Sequence, residues 1–385
     1  PKKIKVLDPF AGAGNLVFPA VQLGLDVTTS DYNPLAYLIE RSVLEFPAKY
    51  GEKLAYDVEK YGNYFLKAVI RADSTLNIGS GHIMRCLTLA EDLTINGFSV
   101  YFISKNLPGN MLSYVKEQGY ECFSILPIGS NDRECYDENF DNIYDATESI
   151  ELLKSIDADL IIVDHYKIDA TWHKMVKKYC KSIVVIDDLA DRSYECDILI
   201  DQTFGRHKRE YVKLVSDGTS LCLGSKYALV KSEYYGMRRM AKRKRNITNN
   251  ISNVLIFLGG SDHSDLYLDV VNTLFSMDTS NILTINLVVG AQDSNTLNKL
   301  SGIIDDRLIV HKNINYMSKL MYEADIFVGA SGSTTWERCS LYLPSIVCIV
   351  ADNQKLIASN LEEHGAVFVW KNMKELKKCF SRIAQ

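Results

Sequence analysis

Short, almost purely apolar runs recur along this chain, separated by longer segments of helical period. Ala68–Ile70, Val100–Ile103, Leu160–Val163, Ile183–Ile186 and Ile198–Ile200 are the first series. A strand of a parallel sheet covered by helices is buried on both faces, so it reads as a continuous apolar run and not as an alternation. A basic, poorly apolar stretch follows, from Arg238 through Arg245 to Asn253. The alternation then resumes with Val254–Leu258, Ile285–Val289, Leu308–Val310, Ile326–Val328 and Ile346–Ile349. Ahead of both series, Lys3 to about Phe65 reads as a strand (Ile4–Leu7), a Gly turn, a helix (Leu16–Leu23), a second strand (Val27–Ser30) and helix-like sequence interrupted at Pro47 and Gly51. The pattern predicts two α/β domains joined by a linker and preceded by a half-domain. The expected boundaries are 1–65, 67–237, a basic linker at 238–252, and 253–385.

Composition excludes several function classes. With 385 residues, 47% of them hydrophobic and 24% charged, the chain can bury cores without staples. A formal net charge of -5 gives no electrostatic case for nucleic acid or an anionic membrane. No apolar run approaches the roughly 18 residues that span a bilayer, so no membrane insertion is expected. The nine cysteines contain no C-x-x-C pair, and H-E-x-x-H is absent. Reduced thiols, a cytoplasmic location, no metal, no cofactor and a monomer are the expectations. The basic run Arg238, Arg239, Lys242, Arg243, Lys244 and Arg245 reads as a solvated helix end leading into the linker. The chain opens at Pro1 and not Met, which points to a natural start upstream.

Two constellations carry chemistry. In Ile70-Arg-Ala-Asp73-Ser-Thr-Leu-Asn-Ile-Gly79-Ser-Gly81-His82-Ile-Met-Arg85 a strand ends, a polar loop follows, and a helix begins near His82. Ligands of open α/β sheets sit beyond strand carboxyl ends, and imidazole is the natural general base at neutral pH. Packing at a helix start is an equal reading of His82 from spacing alone. The stronger constellation is Ala330-Ser331-Gly332-Ser333-Thr334-Thr335-Trp336-Glu337. Small residues at a strand-to-helix turn leave backbone N–H groups for a pyrophosphate, and Glu337 lies one turn on, where a carboxylate can accept from two ribose hydroxyls. Gly259-Gly260-Ser261-Asp262 and Ala351-Asp352-Asn353-Gln354 also follow strands of the same domain.

The motifs I-R-A-D-S-x-x-x-I-G-x-G-H-x-M-R, I-D-D-L-A at Ile186–Ala190, L-G-G-S-D at Leu258–Asp262, G-S-T-T-W-E at Gly332–Glu337 and A-D-N-Q at Ala351–Gln354 occur in that order. Together they resemble the UDP-2,4-diacetamido-2,4,6-trideoxy-β-L-altropyranose hydrolases of pseudaminic acid biosynthesis, from about Lys67 to nearly Gln385. The resemblance implies a GT-B fold of two Rossmann-like parallel-sheet domains, a UDP-sugar as substrate, and metal-free inverting hydrolysis with His82 as the base. It places Gly332, Ser333 and Glu337 in the nucleotide site, with Asn353 and Gln354 near the diphosphate or sugar. Asp73, Gly81, Arg85, Gly260, Ser261, Ser331 and Thr334 complete the expected substrate-binding set. GT-B folds usually carry closing helices beyond Phe380, so the end at Gln385 is expected to be clipped. The chemistry is coherent: UDP is a good leaving group needing donors more than an acid, and inversion needs water activated on the opposite face of the sugar.

The first block has its own signature, Val6-Leu-Asp8-Pro-Phe-Ala-Gly12-Ala-Gly14-Asn15 followed by Ser30-Asp31-Tyr-Asn33-Pro34. A strand, a Gly turn, a helix and an acid after the next strand form a nucleoside-binding unit, with Asp31 on the ribose. It resembles the S-adenosylmethionine site of class I methyltransferases, particularly adenine-specific DNA methylases. The N-P-P-Y or D-P-P-Y loop of those enzymes is missing, since no Pro-Pro occurs in the chain. Asp8, Gly12, Gly14 and Asp31 are therefore read as vestiges in a partial methyltransferase-like β-α-β segment. The competing functions are a GT-B glycosyltransferase using a UDP-sugar donor and a DNA adenine methyltransferase fragment.

Overall fold

The computed structural model describes residues 5–8, 25–29, 66–75, 78–126, 140–245, 251–260, 262–277, 282–290, 293, 295–303, 305–312 and 314–383. In the first block, β1 (Lys5–Asp8) and β2 (Asp26–Thr29) pair in parallel. The helix expected at 16–23 lies outside the described residues, as do Gly12, Gly14 and Asp31. The chain divides into two compact units. Asp73 closes the first segment of one, which continues with 86–106 and 111–229; the other comprises 74–85, 107–110 and 230–385.

The first unit is built on β3 (Lys67–Ala72), β4 (Ser99–Lys105), β5 (Glu121–Ile125), β6 (Leu160–Asp164), β7 (Ser182–Ile186), β8 (Ile198–Asp201) and β9 (Ser220–Leu223). They form one sheet in the order β5-β4-β3-β6-β7-β8-β9, parallel throughout. Val69, Ile161, Ile183 and Leu199 are fully buried in these strands, and helix α1 (Gly81–Ile95) follows β3. Helix α2 (Asn142–Ile156) starts at an Asp141 cap that accepts from Ile143 and Tyr144 N–H, and it turns Ala146, Ile150 and Leu153 into the core. Strand order reverses between β3 and β6, and at such a switch point the loops leave the sheet in opposite directions and open a crevice.

The second unit repeats the plan with β10 (Asn253–Phe257), β11 (Thr284–Val289), β12 (Leu308–Lys312), β13 (Ile326–Ala330), β14 (Ser345–Cys348) and β15 (Phe368–Val369), in the order β12-β11-β10-β13-β14-β15. All are parallel, and the switch point lies between β10 and β13. These two strands approach closely, because a Cβ on Gly329 would collide with the carbonyl oxygen of Phe257. The stretch expected as a linker at 238–252 is helical through Arg245, as the end of α3 (Ser232–Arg245). Lys244 and Arg245 donate to the carbonyls of Met321, Tyr322 and Glu323, while Arg238 and Lys242 lie over the Tyr342 ring. Lys244 and Arg245 thereby help satisfy the open end of helix 317–323, while Arg238, Arg239, Lys242 and Arg243 are exposed, as expected of a solvated helix end.

Candidate functional site

Both switch points carry the residues singled out in the sequence. At the first, Asp73 leaves the carboxyl end of β3 and is 2% exposed. It was expected to touch substrate, but its oxygens are occupied within the protein. Arg71 donates through Nη1 at 2.5 Å and Nη2 at 2.9 Å, Lys105 N–H at 2.7 Å, and His165 Nε2 lies at 3.2 Å. Burial alone would raise this carboxyl, yet Arg71 and His165 hold it well below the usual carboxylate range. Asp73 is thus fixed at the end of β3.

His165, at the end of β6, escaped the sequence reading. Its Nδ1 accepts from Lys167 N–H at 3.1 Å, so the neutral ring carries its proton on Nε2 and donates it to Asp73. Burial pushes its pKa below the ordinary value. With both nitrogens engaged it positions Asp73 and is not a free base.

The loop from Ser74 is tightly fastened. Ser74 Oγ donates to Gly109 O at 2.9 Å, Gly79 N–H returns to Thr75 O at 2.8 Å, and Gly79 has a φ of 76°, which favours glycine. Gly81 then opens α1, with open space where a Cβ would stand. His82 is 6% exposed and Arg85 8%. Arg85 Nη2 lies 3.2 Å from His82 Nδ1. A guanidinium can only donate, so in this arrangement Nδ1 is the acceptor and the neutral ring bears its proton on Nε2.

The segment 74–85 groups with the second unit, so His82 and the Gly332 turn belong to one compact body. The contact is visible at Gly260, after β10, where a Cβ would collide with Ser80 Oγ. The preceding Gly259 has a φ of 111°, a conformation open to glycine. Ser261 lies outside the described residues. After β13, Ser331 is buried and its N–H donates to Cys348 O at 3.0 Å. Gly332 and Thr334 are half-buried and Ser333 is exposed. Thr335 N–H returns to Gly332 O at 3.0 Å, and α4 (Thr335–Ser340) begins with no side-chain cap. Gln354 opens α5 (Gln354–Glu363), receives Val350 N–H on Oε1 at 3.1 Å, and brings Nε2 within 3.6 Å of where a Gly332 Cβ would stand. Asn353 beside it is exposed. The turns after β13 and β14 are therefore neighbours.

Glu337 is half-buried on α4. Dense surroundings push its carboxyl up to about 7, with Lys231 and a hydrogen bond from Tyr234 partly opposing this and Glu233 adding to it. Tyr234, on α3, and the charge of Lys231 just before it are influences on Glu337 that sequence reasoning missed. They lie about a hundred residues from Glu337 in the chain, and no local pattern links a helix start to a distant carboxylate. Asp8 ends β1, and nothing further of the first block's candidate site falls within the described residues. Among the described residues no group of three or more His, Cys, Asp or Glu side chains gathers as a metal site, and no helix is long and apolar enough to cross a membrane.

No family model matches the chain. An uncharacterized protein of Methanocaldococcus jannaschii is 27% identical over 290 residues, which are 73% of this chain and 55% of that protein, so the chain spans about half of that relative. The UDP-2,4-diacetamido-2,4,6-trideoxy-β-L-altropyranose hydrolase of Campylobacter jejuni is 26% identical over 301 residues, 78% of this chain and 97% of that enzyme. Among solved structures, MurG of Acinetobacter baumannii aligns with a TM-score of 0.58 at 14% identity, covering 83% of this chain and 91% of MurG. LpCGTa in complex with UDP aligns at 0.57 and 10% identity, covering 83% and 90%. These likenesses show the fold: α/β, with the two Rossmann-like parallel-sheet domains of the GT-B class.

Proposed function

We propose that the chain hydrolyses a UDP-sugar to free sugar and UDP, with inversion at the anomeric carbon. The observation that carries this reading is that the His82 loop, which meets the turn after β10 at Ser80 and Gly260, groups in one compact unit with the neighbouring turns after β13 and β14. The Campylobacter relative, matched over 97% of its length, supports UDP-2,4-diacetamido-2,4,6-trideoxy-β-L-altropyranose as the substrate and pseudaminic acid biosynthesis as the setting. In this reading the backbone donors of Gly332, Ser333 and Thr334 take the diphosphate, since the Ser331 N–H is already given to Cys348 O. Helix α4 has only 6 residues, so these N–H groups matter more than its dipole. Glu337 accepts the ribose hydroxyls, and Gln354 lies beside the diphosphate.

His82 takes a proton from water. To do so at Nε2 the ring must carry its other proton on Nδ1, which requires Arg85 to leave that nitrogen. A substrate phosphate is the stronger acceptor for a guanidinium and would draw it away. Incubation with the UDP-sugar and no acceptor tests the reading. Release of UDP at a catalytic rate supports hydrolysis, whereas substrate that stays intact until an acceptor is supplied indicates a transferase.

Glu337→Ala is expected to weaken UDP binding by about 10- to 100-fold, the range for losing charged hydrogen bonds partly replaced by water. An unchanged dissociation constant moves ribose recognition elsewhere. The raised carboxyl adds a pH signature. The ionised form is the better acceptor and prevails above about 7, so nucleoside affinity should fall as the pH drops through that value. Uridine is the ligand for calorimetry, since it has no phosphate to titrate, and Glu337→Gln should flatten the profile.

The methylase-like block takes no part in this proposal. A chain beginning at Leu66 should keep its UDP-sugar turnover within about two-fold, because a two-stranded sheet is marginal alone and the missing Pro-Pro loop removes base recognition. Micromolar S-adenosylmethionine binding by the full chain is the contrary result.

A further inference from the structure

Arg338 follows Glu337 on α4, and its guanidinium folds back under the first turn of that helix. The side chain is 1% exposed. Its guanidinium carbon lies 4.3 Å from the centre of the Phe327 ring, and Nη2 donates to Thr335 Oγ1 at 2.9 Å. Among the described residues, Nε and Nη1 meet no acceptor. Burial pushes the group down to about 10, offset only in part by Glu337 and nearby thiols. A buried cation with two unused donors has lost its water without a replacement, and such groups in native proteins call for an explanation.

Ser331 repeats the feature at the other end of the same turn. It is 1% exposed, and its Oγ has no partner among the described residues. Ser331 and Thr335 bracket Gly332–Thr334, so unsatisfied polar groups stand behind both ends of one small-residue turn. A guanidinium offers donors and positive charge and no acceptor, so its complement is an anion. A neutral sugar or a base edge gains little from it.

We infer that Arg338 is the built-in counter-charge for the diphosphate, holding positive potential beneath the Ser331–Thr335 turn that the ligand-free protein leaves uncompensated. The inference rests on the nucleotide reading of that turn and adds a residue that acts from below it, through the protein. Binding and stability should then move in opposite directions. Removing an uncompensated buried charge relieves the empty protein, while the diphosphate loses its partner.

The experiment compares wild type, Arg338→Met and Arg338→Lys for binding of UDP, uridine and inorganic pyrophosphate, alongside ligand-free melting temperatures. Arg338→Met should lose about 10-fold or more in UDP affinity and keep uridine within about two-fold. Its melting temperature should stay level or rise. Arg338→Lys, which keeps the charge and loses the fork, should fall between. Parallel loss of UDP and uridine, or a UDP affinity that does not change, overturns the proposal. If Arg338→Met does not fold, the lysine variant decides by the same ratio of UDP to uridine. Wild type that binds pyrophosphate but no uridine sinks the nucleotide reading and leaves the anion site standing, and wild type that binds neither sinks both.

Discussion

His82→Asn should cut UDP-sugar turnover by about 10²–10⁴-fold, the usual loss when a general base is removed. UDP affinity should stay within about two-fold, because the proposed nucleotide contacts belong to the turns after β10, β13 and β14. Asparagine keeps a polar side chain at the start of α1 but offers no nitrogen that can take a proton. His82 is almost fully buried and its Nδ1 faces Arg85, so a packing role is the competing explanation. The two separate cleanly when turnover and calorimetric UDP binding are measured on one preparation. Loss in kcat alone fits a group that acts in the transition state. Equal loss of both would make His82 a structural residue that holds the Ser80 loop against Gly260.

The central strands were legible in the sequence, and of the edge strands of the two large sheets only β12 was. Ile161, Ile183, Val254 and Ile326 sit in strands flanked on both sides, and such strands read as unbroken apolar runs. The unpredicted strands β5, β9 and β15 all lie at sheet edges. There Glu121, Ser124 and Ser220 are exposed or half-exposed, so apolar periodicity fades. The linker expected at 238–252 is helical through Arg245 because cations and carbonyls far apart in sequence pair there. The same division holds at the candidate site. Turns made of glycine and serine announce themselves locally, whereas Tyr234, Lys231, His165 and Arg338 gain their meaning from neighbours that only the fold supplies. Asp73 shows the reverse case, a motif residue whose partners turn out to be internal.

The largest stability effect is expected for Asp145→Ala, at about 3–5 kcal/mol. Asp145, on α2, is fully buried and accepts from Arg71 Nε at 3.0 Å and Nη2 at 2.7 Å. It also accepts from Trp172 Nε1 at 2.9 Å and pairs with Lys105 Nζ at 3.1 Å. Alanine would leave Lys105 without this carboxylate, Arg71 with Asp73 alone, and the indole N–H orphaned in the core. Each is a buried group stripped of its partner, which costs more than the intact pair contributes. Domains hold roughly 5–15 kcal/mol in total, so the first unit would be near its unfolding threshold. The pH dependence has a defined sign. Burial opposes ionisation of Asp145, but Arg71 outweighs it and holds the carboxyl below its ordinary value. A depressed carboxyl stabilises the fold above its unfolded value of about 3.9, and this contribution disappears as pH falls through the folded one. Acidification below about pH 4 should therefore destabilise wild type more steeply than Asp145→Ala. Asp145→Asn, which keeps an acceptor for Trp172 but not the charge, should lie between the two. Denaturant unfolding at neutral pH and near pH 3 measures all three proteins. A loss under about 1 kcal/mol for Asp145→Ala would mean that Asp73 alone carries Arg71.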